Sequence, residues 1–132
     1  MGEKQTKSSK ARAGKKILII EDEQPLSHAL HLKFTNDGNE VSIAKNGEEG
    51  LQMATSNKFD VILLDLIMPK MDGFTFLERL NEKKVKTPVV ILSNLGQEED
   101  RKRAEEMGVS GYYVKSNTPI TEILKTVSSL LK

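Results

Sequence analysis

The sequence predicts an α/β fold: a doubly wound sheet of five parallel strands with helices on both faces. Short apolar runs alternate five times with helical patterns from Lys16 to the end of the chain. Successive β–α units of this kind imply parallel strands joined by right-handed crossovers. Three of the runs, 17–20, 61–64 and 89–92, are apolar at every position, which is typical of strands covered on both faces.

Differences between the strands predict their order. The first, third and fourth strands are apolar throughout and suit the centre of the sheet, whereas the second, 40–44, alternates apolar and polar residues. The fifth, 111–114, is mixed, so the second and fifth suit the edges. This gives the flavodoxin-like order 2-1-3-4-5, whose switch point lies between strands one and three. Ligands of such sheets bind at the carboxyl ends of the strands beside that point.

Helical patterns fill the four gaps between strands and follow the last strand. In the first, Pro25 stands in the first turn and Asp37-Gly38 ends the helix. The second is predicted over 46–55, and the third starts at Asp72-Gly73. The fourth opens on three acidic residues at 98–100 and has a thin apolar face, whereas the fifth, 120–131, has the most regular apolar stripe.

Length and charge divide the chain into a tail and one domain. Residues 1–16 carry six basic side chains and one acidic, and the rest of the chain is net acidic. We expect residues 1–14 to be a disordered basic tail and residues 15–132 to be the domain. No apolar run is long enough to span a membrane, no signal peptide is evident and cysteine is absent. We therefore expect a cytoplasmic protein.

Polar and charged residues stand where the strands end. Glu21 and Asp22 follow strand one, Asp65 follows strand three, Ser93 ends strand four and Lys115 follows strand five. Each alone has an ordinary explanation as a turn residue, a helix cap or a solvated lysine. Together they would place three carboxylates at one edge, and their repulsion is relieved by a divalent cation or a basic partner.

An all-oxygen donor set favours Mg²⁺ over Zn²⁺. A carboxylate beside Mg²⁺, facing a lysine and a hydroxyl, is equipped to accept a phosphoryl group as an acyl phosphate. The metal and the lysine would neutralise the phosphoryl oxygens, and the hydroxyl would donate a hydrogen bond to them.

Four segments carry a resemblance to a known family. They are 17–23 (ILIIEDE), Asp65 with 68–73 (MPKMDG), 91–93 (ILS) and 111–115 (GYYVK). In this order, on matching strand ends, they resemble the response-regulator receiver domain of two-component phosphorelay signalling over essentially all of residues 16–132. The chain is thus identified as a single-domain receiver.

The resemblance implies roles for the acidic residues. Asp65 is similar to the phosphoacceptor, which takes its phosphoryl group from the phospho-histidine of a sensor histidine kinase or a histidine phosphotransfer protein. Asp22 and Asp65 would bind Mg²⁺, Glu21 would assist, and the backbone carbonyl of Ile67 would be the third protein ligand. Such a domain is not an enzyme in the usual sense, although it assists its own phosphorylation and dephosphorylation.

Further roles follow from the same resemblance. Lys115 would pair with the phosphoryl oxygens and Ser93 would hydrogen-bond to them. Tyr112 is similar to the switch aromatic, although without the resemblance ordinary packing at an edge strand would be the preferred explanation. A downstream protein target would bind the face formed by the fourth helix, the fifth strand and the fifth helix. The chain stops soon after the last apolar position, 131, so we expect no DNA-binding domain.

Two positions depart from the family pattern. The family usually has a proline with a cis peptide after the lysine, whereas Ser116 follows here. A cis bond before a residue other than proline costs about 3–4 kcal/mol. Either the Lys115–Ser116 bond keeps that geometry under strain, or the loop differs. Asn94, after the switch serine, also replaces a residue that is commonly small.

Other function classes fit the sequence less well. An FMN-binding flavodoxin needs a phosphate-cradling loop after strand one, where Glu21-Asp22-Glu23 would repel a phosphate. A haloacid-dehalogenase-type phosphatase needs a second acid two residues after the nucleophile, where Ile67 stands. The remaining alternative is a degenerate receiver that acts only as a docking module, and the complete set of acids, serine and lysine argues against it.

Overall fold

The computed structural model describes residues 14–68, 70–94 and 98–131. The strands are β1 (Lys16–Ile20), β2 (Glu40–Ala44), β3 (Val61–Leu64), β4 (Val89–Ser93) and β5 (Gly111–Val114). They form one parallel sheet in the order β2-β1-β3-β4-β5. This confirms the predicted fold class and strand order. The basic tail falls almost entirely outside the described residues, as does Pro69.

Five α-helices connect and follow the strands: α1 (Gln24–Asn36), α2 (Gly47–Ser56), α3 (Gly73–Glu82), α4 (Glu98–Glu106) and α5 (Ile120–Leu130). Local chemistry sets where two of them begin. Asn46 caps α2 by accepting from the Glu49 N–H, and the Glu49 carboxylate accepts from the N–H of Lys45, the residue before the cap. Asp72 caps α3 by accepting from the Thr75 N–H. No described helix is long and apolar enough to cross a membrane.

Alternate residues of the central strands pack into two separate cores. One core lies between the sheet and the layer formed by α1 and α5. The strands contribute residues such as Ile17, Ile19, Leu63 and Leu92, and α1 contributes Phe34. Their neighbours along the same strands face the layer formed by α2, α3 and α4. The helices cover both faces of the sheet. Because each of them returns the chain to the start of the next parallel strand, all five strands end at the same edge.

The loop after β3 is packed tightly against the start of α3. The Gly73 N–H donates to the Leu66 carbonyl at 2.9 Å. A Cβ at Gly73 would lie 2.7 Å from the Leu66 Cα, so only glycine permits this approach. The helix thereby holds the backbone next to Asp65 in place.

Helix α4 is the least deeply packed of the five within the described residues. Ala104 is its one buried side chain, as its thin apolar pattern predicts. Two guanidinium groups add contacts: Arg101 lies over the Tyr112 ring at 5.1 Å, and Arg103 over the Phe74 ring at 4.0 Å. These cation–π contacts therefore stabilise the packing of α4, as buried apolar side chains do for the other helices.

Candidate acidic site at the carboxyl edge of the sheet

Asp65 lies directly after β3, between β1 and β4, and its carboxylate is buried. Its backbone N–H donates to the Ile20 carbonyl, which fixes it to the end of β1. Its Oδ1 accepts from the Ile67 N–H at 3.1 Å, and its Oδ2 accepts from Lys115 Nζ at 3.1 Å. Each oxygen accepts one described hydrogen bond and retains capacity for another.

Lys115 follows β5, and its ammonium reaches across the strand ends to three carboxylates. Its Nζ lies 2.9 Å from Glu21 Oε2, 3.1 Å from Asp65 Oδ2 and 3.2 Å from Glu23 Oε1. The lysine side chain is 8% exposed, so its bonds to the buried Glu21 and Asp65 form largely out of water, whereas Glu23 is exposed. An ammonium group has three donor hydrogens, and here each has a carboxylate partner.

The loop that carries Lys115 resolves the alternative left by the sequence. The described peptide bonds are all trans, and residues Lys115–Asn117 form a single 3-10 turn. The loop therefore differs from the proline-containing form, and it brings the lysine to Asp65 without a cis bond.

Glu21 and Asp22 follow β1 and complete the acidic cluster. One carboxylate oxygen from each of Glu21, Asp22 and Asp65 lies within 4.8 Å of the others. Glu21 is buried and accepts from the Glu23 N–H at 3.0 Å, whereas Asp22 is exposed. Convergent carboxylates with one face open to water suit Mg²⁺, which binds a few protein oxygens and keeps several waters.

Burial changes the ionisation of two of these groups. It raises the pKa of Glu21 to about 7, because desolvation of the carboxylate outweighs its hydrogen bonds from Lys115 and the Glu23 backbone. Burial opposes the charge of Lys115, but hydrogen bonds and the negative charges of Glu21 and Asp65 prevail and raise the pKa of the lysine. In the absence of a bound cation, Glu21 is therefore protonated more readily than an ordinary glutamate, and Lys115 beside it keeps its positive charge.

The other predicted residues lie around this cluster. Ser93 is fully buried at the end of β4. Ile67 is exposed, and its N–H points to Asp65. Tyr112 is buried in the core formed with α2, α3 and α4. Burial, then the charge of Asp100, raises the pKa of the Tyr112 phenol, and Arg101 partly opposes this.

Glu23 is a site residue that the sequence analysis missed. It stands at the N-cap position of α1, yet its side chain makes no capping hydrogen bond and reaches Lys115 instead. A glutamate where aspartate, asparagine or serine is the usual cap is the signal that was available. The structure brings it together with the residues predicted for the acidic cluster.

Comparison with known proteins identifies the family. Residues 17–128 match the model of the response regulator receiver domain. The chain belongs to this family of two-component signalling domains. It is 36% identical over 117 residues to the probable transcriptional regulator ycf29 of Porphyra purpurea, covering 87% of this chain and 56% of that protein. It is 35% identical over 116 residues to the transcriptional regulatory protein SrrA of Staphylococcus aureus, covering 88% and 47%. The receiver thus spans about half the length of these curated relatives.

Solved receiver structures are also similar to this chain. The Francisella response regulator 1452 receiver domain has a TM-score of 0.84 and 30% identity, over 89% of this chain and 97% of that one. The CheX–CheY–BeF3–Mg²⁺ complex from Borrelia burgdorferi contains a chain with a TM-score of 0.81 and 29% identity, over 89% and 90%. The flavodoxin-like fold is therefore shared with signalling receivers, as the sequence predicts.

Proposed function

We propose that this receiver accepts a phosphoryl group on Asp65 from a phospho-histidine of a sensor kinase or a histidine phosphotransfer protein. One observation carries the proposal: the buried Asp65 carboxylate shares Lys115 with Glu21 and lies within one cluster of acidic oxygens. A buried carboxylate beside a cationic donor and a set of metal-binding oxygens has the parts that phosphoryl transfer needs.

In the transfer, an Asp65 oxygen attacks phosphorus in line with the departing imidazole nitrogen. The P–N bond breaks, an acyl phosphate forms, and the imidazole leaves carrying its electron pair and takes up a proton. The Ile67 N–H orients the carboxylate by holding Oδ1, and Lys115 offers positive charge to the phosphoryl oxygens. The Ser93 hydroxyl, at the adjacent strand end, would donate to another oxygen.

The donor set fits Mg²⁺. Asp22 and Asp65 would bind the ion directly, Glu21 would assist, and the Ile67 carbonyl would complete the protein ligands. The bound ion would supply positive charge that neutralises the phosphoryl oxygens. That a similar chain occurs in a complex with BeF3 and Mg²⁺ supports this donor chemistry.

A groove beside the cluster offers an approach for the donor protein. It has a volume of about 810 Å³ and runs from Glu21 and Asp22 past His28 to Lys45 and Asn46. A partner side chain entering this groove would meet Glu21 and the exposed Asp22, two residues of the acidic cluster.

Phosphorylation would act through β4, β5 and α4. A hydrogen bond from Ser93 to the phosphoryl group would shift the end of β4, and Tyr112 on β5 would act as the switch aromatic. A target protein would then bind the face of α4, β5 and α5, or the phosphoryl group would pass onward. The two curated relatives, of which this chain spans about half, are named as transcriptional regulators.

A small-molecule phosphodonor tests this function. With acetyl phosphate and Mg²⁺, the wild-type protein should gain the mass of one phosphoryl group, and chelation of the metal should prevent it. Asp22→Asn should lose the Mg²⁺-dependent gain while staying folded. Asp37→Asn is the matched control, because Asp37 is exposed at the end of α1, where it meets none of the site residues. Equal labelling of Asp22→Asn and wild type would contradict the proposed metal site.

The alternative is a docking module that is never phosphorylated. It predicts no mass gain in wild type with any phosphodonor, together with unchanged partner binding in an Asp65→Asn variant. The buried contacts of Lys115 with Asp65 and Glu21 disfavour it, because a module that needs only its surface gains little from three buried ionisable groups.

A further inference from the structure

The ammonium of Lys115 has no donor hydrogen to spare. Its three hydrogens serve Glu21, Asp65 and Glu23, at 2.9, 3.1 and 3.2 Å. A phosphoryl oxygen on Asp65 must receive one of these bonds if the lysine is to neutralise it. One carboxylate must therefore release the lysine when the phosphoryl group arrives.

The three carboxylates differ in what release would cost. Glu21 is buried, with 3% of its side chain exposed, and also accepts from the Glu23 N–H. Releasing Lys115 would leave this buried acid with the Glu23 N–H as its one remaining described hydrogen-bond donor, which is costly. Asp65 is the group that reacts. The Glu23 side chain is 53% exposed, so its carboxylate can return to water.

The position of Glu23 supports the same assignment. Its backbone begins α1, since the Ser27 N–H donates to the Glu23 carbonyl, but its side chain does not cap the helix. Glu23 also lies outside the group of oxygens close enough to share a metal ion. Within the described residues its carboxylate is committed to Lys115 and to neither of these tasks.

We propose that Glu23 is a positioning residue: it holds Lys115 in the unphosphorylated protein and is displaced by the phosphoryl oxygens. Glu23 thereby competes with the phosphoryl group for one lysine hydrogen and lowers the affinity of the site for that group. This rests on the proposed phosphoacceptor function of Asp65, and it adds a residue that sets how readily the switched state forms.

The test is a titration with beryllium fluoride at saturating Mg²⁺, followed by NMR. Glu23→Ala removes the competing acceptor, and Glu23→Gln keeps the shape with a weaker, neutral acceptor. Because an exposed ion pair contributes little, we expect binding about two- to fivefold tighter in the alanine variant, with glutamine intermediate. Glu48→Ala is the matched control, since Glu48 is an exposed glutamate in the first turn of α2 at the same edge of the sheet.

Two readouts separate positioning from a structural role. The Lys115 ammonium resonance of the free protein should move in both Glu23 variants and not in Glu48→Ala. Loss of a helix start would instead weaken beryllium fluoride binding. Unchanged or weaker binding in both Glu23 variants, or equal tightening in Glu48→Ala, would overturn the inference. A wild-type protein that binds no beryllium fluoride would overturn the proposed function instead.

Discussion

The ionisation of Glu21 depends on burial more than on its partners. Its carboxylate accepts hydrogen bonds from Lys115 and from the Glu23 N–H, yet desolvation still raises its pKa to about 7. The raised pKa means that the folded protein binds a proton here more tightly than the unfolded chain does. Without a cation, the site is therefore most stable when this acid is protonated.

This gives a pH dependence with a defined sign. Between the ordinary pKa of 4.5 and about 7, only the folded state retains the Glu21 proton, so the free energy of unfolding falls as pH rises. We expect the loss across this window to be on the order of 1–3 kcal/mol. Denaturant unfolding with a chelator present would measure it. Glu21→Gln should remove this part of the slope, and an identical slope in that variant would contradict the assignment.

Ile67 should protect the acyl phosphate from water. It stands two residues beyond Asp65, with its side chain exposed and its N–H bonded to the Asp65 carboxylate. An apolar branched side chain there cannot position a water for in-line attack. We expect Ile67→Asn or Ile67→Glu to speed dephosphorylation several-fold, roughly the scale of one added polar contact.

Asn94 provides the comparison for that prediction. It follows Ser93, and its amide could hold a water or simply cap the loop. Asn94→Ala should change the decay rate less than the Ile67 variants do. Decay of purified phosphorylated protein, followed by mass, measures both, and an Ile67 variant that decays no faster than wild type would rule out shielding.

Among the elements, the loop between β3 and α3 depends on the close packing of Gly73 against Leu66. Gly73→Ala should destabilise the fold by about 1–3 kcal/mol, because the new Cβ would lie 2.7 Å from the Leu66 Cα. Gly111→Ala is the control, since its nearest neighbour would be an ordinary 3.5 Å away. Denaturant midpoints compare the two, and equal losses would show that the Gly73 contact relaxes easily.

Helix α4 should respond to phosphorylation more than the other helices. It buries Ala104 and relies on Arg101 and Arg103 stacked on aromatic rings. Elements with little buried apolar surface open at low free-energy cost. Amide exchange should change most over residues 93–115 when Asp65 is phosphorylated. Larger changes in α1 or α2 would place the switch elsewhere.

The sequence predicts those features of the helices and strands that depend on residues close together in the chain. The strand order came from apolar runs, and the thin face of α4 came from its own composition. The geometry after Lys115 could not be predicted from the sequence. Ser116 permits either a strained cis bond or a different loop, and the structure shows a different loop. Glu23 was missed because it stands at the N-cap of α1, and its contact with Lys115 appears only in the folded chain.

In the whole molecule, two cores covering both faces of one sheet leave the carboxyl edge as the place where charges converge. Glu21, Asp22, Asp65 and Lys115 reach it from three different strands, so their meeting depends on the strand order. The sequence predicts this meeting because each residue directly follows a strand. It cannot predict which carboxylates accept hydrogen bonds from Lys115, because that depends on how the side chains pack in the folded protein.

The most direct test of the account is the site of phosphorylation. Wild type treated with acetyl phosphate and Mg²⁺ should gain one phosphoryl group, lost on mild alkaline treatment as expected of an acyl phosphate and located at Asp65 by peptide mass analysis. Asp65→Asn should gain none while keeping the wild-type fold. A phosphoryl group that appears equally on Asp65→Asn, or maps to another residue in wild type, would contradict the central claim.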